Sequence, residues 1–95
     1  MLSIVLLTNE APCPLAEELL DAGHRVWEAL AISEVLHLCD TEWVDAIVVT
    51  PDVKHPSLKA LREREITVQM EPGTTAKQLI WELSRLFPDK NTIVQ

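Results

Sequence analysis

The chain has 95 residues, 47% of them apolar, and a formal net charge of −7. That is enough apolar sequence for one core and too much for a disordered tail, so the reading is a single domain over 1–95. The acidic balance repels phosphate backbones and anionic lipid, and no apolar run reaches the roughly 20 residues of a membrane-spanning helix, so neither nucleic acid nor membrane is an expected partner.

Met1–Leu7 is apolar but has no basic start and no small-residue cleavage site. It reads as a strand over Ser3–Thr8, not as a signal peptide. Asn9–Pro14 is a loop containing Cys13, and Pro14 suits a first helical position. A helix then carries Leu15, Ala16, Leu19 and Leu20 at helical spacing. Gly23 stands where a left-handed cap is wanted, and His24–Leu30 reads as the second strand.

Ser33 is the expected cap of a second helix whose apolar face is Val35, Leu36, Leu38 and Cys39. Asp45–Val49, closed by Thr50-Pro51-Asp52, is an apolar run rich in β-branched residues with no polar alternation. Such a strand is buried on both faces, as in the middle of a parallel sheet, and Pro51 ends it because proline cannot donate to a ladder. His55-Pro56-Ser57 opens a third helix carrying Leu58 and Leu61, and Ile66–Met70 is the fourth strand. Lys54, Lys59, Arg62 and Arg64 are interrupted by Glu63 and Glu65, which reads as a solvated helix face. After a loop and cap at Glu71–Thr74, a fourth helix runs from about Thr75 to Phe87 with a stripe of Ala76, Leu79, Ile80, Leu83 and Phe87. Thr92–Val94 reads as a short fifth strand, paired within the chain or with another subunit.

Strict alternation of strands and helices predicts an α/β/α sandwich on a parallel sheet of four or five strands, with the flavodoxin-like order 2-1-3-4(-5). In such sheets chemistry collects beyond the carboxyl ends of the strands. The weak candidate pocket is therefore Thr8, Glu10, Thr50, Asp52, His55 and Glu71. Those residues match no metal-ligand spacing, and the two glycines, Gly23 and Gly73, give no phosphate loop. No cofactor, metal or catalytic residue is expected. Cys13 at a helix start would feel the positive helix end, but a phosphate cradle needs a CxxxxxR run, and the residues after Cys13 (Pro-Leu-Ala-Glu-Glu-Leu) supply acids instead. Cys13 and Cys39 form no disulfide framework, which places the chain in the cytoplasm with both thiols reduced.

The run Leu19–Ala29, a helical stretch, and then Asp45–Val49 resemble the receiver domain of two-component response regulators. The likeness covers about residues 3–52 well and the remainder loosely. It implies a phosphorylation-controlled signalling fold, yet its chemistry is missing here. The receiver's magnesium-binding acids fall on Thr8 and Asn9, with only Glu10 kept; its phospho-accepting aspartate falls on Thr50; its lysine before a loop proline falls on Glu71 before Pro72. The resemblance thus implies a shortened receiver without aspartyl phosphorylation, a non-catalytic interaction or dimerisation module. The rival expectation is a small-ligand or divalent-metal binder at the pocket. Trp81 falls on nearly the opposite side of the last helix from its apolar stripe, among Lys77, Gln78, Ser84 and Arg85. It and Trp27 are the weak interface candidates, for a homodimer or another protein; the other reading of Trp81 is packing beneath Asn91–Gln95.

Overall fold

The structure, a computed structural model, describes residues 1–10, 12–53 and 58–88. Among the described residues four strands and four helices alternate: β1 (Ser3–Leu7), α1 (Pro14–Asp21), β2 (Arg25–Ala29), α2 (Ile32–Thr41), β3 (Ala46–Val49), α3 (Leu58–Arg64), β4 (Ile66–Gln69) and α4 (Ala76–Leu86). The strands form one parallel sheet in the order β2-β1-β3-β4, the predicted flavodoxin-like arrangement. The expected fifth strand at Thr92–Val94 lies outside the described residues. Among the described residues no helix is long and apolar enough to cross a membrane.

The apolar runs explain the strand order. Every residue of β1 and β3 is buried, so each needs cover on both faces, while β2 and β4 at the edges are partly exposed. Ile4, Leu6, Ala46 and Val48 face Leu19 of α1 and Leu79 and Leu83 of α4. Val5, Leu7, Ile47 and Val49 face Val35 of α2 and Leu61 of α3. Alternation along each strand thus feeds two separate apolar layers.

Local chemistry sets most element ends. Gly23 follows α1 at φ +93°, and its N–H donates to Leu20 O at 2.9 Å, so the predicted left-handed cap is present. Gly73 (φ +89°) is the third residue of a turn from Glu71 to Thr74 with Pro72 second, the residue choice of a type II turn. α4 starts one residue later than read from sequence. Thr75 is its N-cap, accepting from the Gln78 N–H at 3.2 Å while Gln78 Oε1 accepts from the Thr75 N–H at 3.0 Å.

Two sequence expectations fail here. α2 is capped at Ala31, not Ser33, and without a side-chain bond; the earlier start packs Ile32 against the second core layer. Leu20 is 52% exposed, because α1 is short and only Leu15, Ala16 and Leu19 reach its core face.

The open end of β1 is fastened by side chains. Asp45 Oδ2 accepts from the Ser3 N–H at 2.9 Å, and His24 Nδ1 accepts from the Leu2 N–H at 3.1 Å. That acceptor exists only on a ring unprotonated at Nδ1. Partial burial, aided by the nearby N-terminal charge, holds His24 below the ordinary histidine value of 6.5. The unfolded chain therefore takes up the proton first as pH falls, so the stability His24 contributes is complete above about 6.5 and declines from there towards the lowered folded value. Urea unfolding should show the gap in stability between wild type and His24→Ala narrowing from pH 7.5 to pH 5.5; a constant gap would refute the coupling.

Candidate functional site

The carboxyl ends of β1 and β3 lie side by side where the chain's direction of travel across the sheet reverses, the place where such sheets open a crevice. A cleft of about 510 Å³ occupies it, with Thr8, Glu10, Thr50 and Asp52 in its lining, walled by Cys13–Leu15 at the start of α1 and Thr74–Ala76 at the start of α4.

Backbone pairing holds this floor still. The Thr8 N–H donates to Ala29 O and the Thr50 N–H to Leu7 O, each at 3.0 Å, carrying the ladder past the strand ends. Both threonines are buried. The Thr8 hydroxyl donates to Glu10 O at 3.2 Å. The Thr50 hydroxyl faces Leu7 O at 3.3 Å and the Asp52 carboxylate. Asn9 Nδ2 donates to Asp52 O at 2.5 Å, tying the loop after β1 to the loop after β3. Among the described residues no buried side-chain polar atom lacks a partner.

The sequence-predicted pocket is brought together in part. Thr8, Glu10, Thr50 and Asp52 share the cleft. Glu71 does not join them: the turn after edge strand β4 carries it into a second groove of about 590 Å³, between β4 and α4. His55 lies outside the described residues. Cys13, weighed from sequence only as a lone thiol, lines the cleft, its N–H donating to Glu28 Oε1 at 3.0 Å. The lining carries Glu10, Glu18 and Asp52 and no basic side chain among the described residues. This suits a neutral or cationic molecule and repels phosphate. Among the described residues no three His, Cys, Asp or Glu side chains converge as a metal-binding group.

The tryptophans divide into three environments. Trp81 is 60% exposed and lines the second groove, with the Arg85 guanidinium 5.0 Å from its ring centroid. Trp27 on edge strand β2 is half-buried against the second core layer, with Arg25 5.5 Å from its ring. Trp43, not singled out from the sequence, is 76% exposed, its indole N–H donating to Asp45 Oδ1 at 3.0 Å. It sits between a helix end and a strand start, where no periodicity assigns a face. Asn91–Gln95, which the alternative reading of Trp81 would lay over it, falls outside the described residues.

The chain matches no family model, no curated protein and no solved structure in the three comparisons.

Cys39 on α2 is raised above an ordinary thiol by partial burial and then by the negative charge of Glu65, against the opposing pull of Arg64. Less thiolate is present at any given pH. In a Cys13→Ser variant, Cys39 should react with iodoacetamide at pH 8 more slowly than a free cysteine, with the rate still climbing above pH ~8.5. Equal rates by mass spectrometry would refute this.

Proposed function

We propose that this chain is a non-catalytic, receiver-like domain that acts by association with protein, as an interaction or dimerisation module in cytoplasmic signalling. The observation that carries the reading is Trp81: a large, mostly exposed aromatic beside β4, an edge strand among the described residues, in a groove with Val68, Met70 and Leu79. Tryptophan in a recess of this kind is a favoured interface anchor. The Arg85 contact stabilises its outward placement by about 0.5–1 kcal/mol, the range for exposed cation–π pairs.

The cleft supports the non-catalytic half of the reading. Thr50 stands where the resemblance wants a phospho-accepting aspartate, and a hydroxyl cannot form an acyl phosphate. Its oxygen is already engaged by Leu7 and Asp52. Thr8 and Asn9 replace the acids that would hold magnesium. Glu71 lines the other groove and carries the wrong charge to meet a phosphoryl group. The cytoplasmic assignment rests on two free thiols, Cys13 and Cys39.

A second reading, a small-ligand binder at the cleft, is favoured by one observation: the cleft lies at the reversal point between β1 and β3. A rise in Tm with Mn²⁺ or a small neutral or cationic metabolite, abolished by Asp52→Asn, would support it against the association reading.

For the association reading, size exclusion with light scattering should give a mass above the 10.7 kDa of one chain, reduced to 10.7 kDa by Trp81→Ala without loss of far-UV ellipticity. Incubation with acetyl phosphate and Mg²⁺ should leave the chain unlabelled. Aspartyl phosphate formation, or a wild-type monomer at high micromolar concentration that captures no protein, would overturn the proposal.

A further inference from the structure

We infer that β4 is the dimer edge: two copies of this chain join their β4 strands antiparallel, in the register that places Thr67 opposite Thr67, making one continuous eight-stranded sheet. This rests on the association reading and gives it an occupant and a geometry.

The first observation is handedness. The chain steps from β1 outward to β2 with α1 on one face, then returns past β1 to β3 and on to β4 with α2 and α3 on the other. Changing face when the direction reverses keeps all three crossovers in one hand, the right hand that such connections require. α4 returns to the α1 face. A parallel strand following α4 would reach the outer side of β4 only through a left-handed crossover, a connection found in about 2% of cases. Among the described residues nothing pairs with that outer edge, and the crossover rule disfavours a further parallel strand of the same chain there.

The second is the direction of the backbone groups. The Met70 N–H donates to Val49 O at 2.9 Å, so Met70, Val68 and Ile66 turn their amides towards β3. Thr67 and Gln69, in alternation, turn theirs outward. Two Thr67 residues facing each other would then exchange both N–H···O=C bonds, the hydrogen-bonded pair of an antiparallel ladder.

The third is the edge's composition. Ile66-Thr67-Val68-Gln69 contains no lysine, proline or other charge in a chain of net −7. Edge strands that remain unpaired are blunted by charge, by proline or by being very short; β4 has the last of these, at four residues, and neither of the others. Centring on Thr67 sets Ile66 of one copy opposite Val68 of the other on the α4 face, and Glu65 opposite Gln69 on the other face. Like-facing residues pair only when the centre is a residue, so the neighbouring choice centres on Val68. That register sets Glu65 against Glu71, a like-charge pair that disfavours it. Trp81 lines the groove beside Val68, so in this register its exposed ring lies next to the joined edges.

The test is a cysteine scan in a Cys13→Ser/Cys39→Ser background shown to keep wild-type mass by light scattering. Ile66, Thr67, Val68 and Gln69 are replaced singly by cysteine and oxidised mildly. Disulfide-linked dimer should form severalfold more at Thr67→Cys than at the other three. Thr67→Pro, which removes an outward N–H and none that serves β3, should convert the dimer to a monomer of unchanged ellipticity. Strongest cross-linking at Val68→Cys would overturn the register. A dimer that survives Thr67→Pro and does not cross-link at Thr67 would overturn the β4 edge and leave association through Trp81 standing. A wild-type monomer that captures no protein would remove both.

Discussion

The structure depends on burying β1 and β3 as an adjacent pair with apolar cover on both faces. Each residue of Ile4–Leu7 and Ala46–Val49 is at most 2% exposed. A strand so enclosed needs a helix layer above and another below, because its odd and even side chains feed different layers. The two-face distribution of helices and the partly exposed edges follow from that demand. So does the cleft: with helices on both sides, the carboxyl ends of the two central strands are left as the open rim.

The fold was legible because its signals are local and redundant. The apolar runs identify β1 and β3 as central without reference to anything else in the chain. Gly23 marks the end of α1 through its positive φ, and strand–helix alternation with short connections leaves few topologies. The errors arose where two local rules competed. Serine is a good cap, but the need to bury Ile32 started α2 before Ser33. Leu20 fits a helical period, yet an eight-residue helix has one narrow contact stripe. Capping and periodicity are weak terms beside core burial.

The candidate site was legible only as far as strand ends reveal it. Thr8, Glu10, Thr50 and Asp52 all follow the central strands, so knowing the strand order was enough to bring them together. Glu71 follows a strand too, but β4 is at the edge, and the turn after it leaves Glu71 in the groove between β4 and α4. The wall made by Cys13 and Thr75 requires α4 to pack beside α1, on the opposite face from α2 and α3. Alternation of elements does not specify that choice of face. The same choice leaves Trp81 beside β4, where it has apolar neighbours below and solvent above.

The central position of β1 also bears on how the chain forms. β1 is the first strand in the sequence, yet its second partner, β3, begins at Ala46, 39 residues after Leu7 (46 − 7). At ~5–20 residues per second, translation takes roughly 2–8 s to supply it. Throughout that interval a nascent chain can close β1 at most on the β2 side, and only once Arg25–Ala29 has been made. Its other edge, Ile4-Val5-Leu6-Leu7, is four apolar residues in a row, a segment suited to chaperone binding or to misdirected pairing between neighbouring nascent chains. The strand that organises the finished sheet is therefore the most vulnerable one during synthesis.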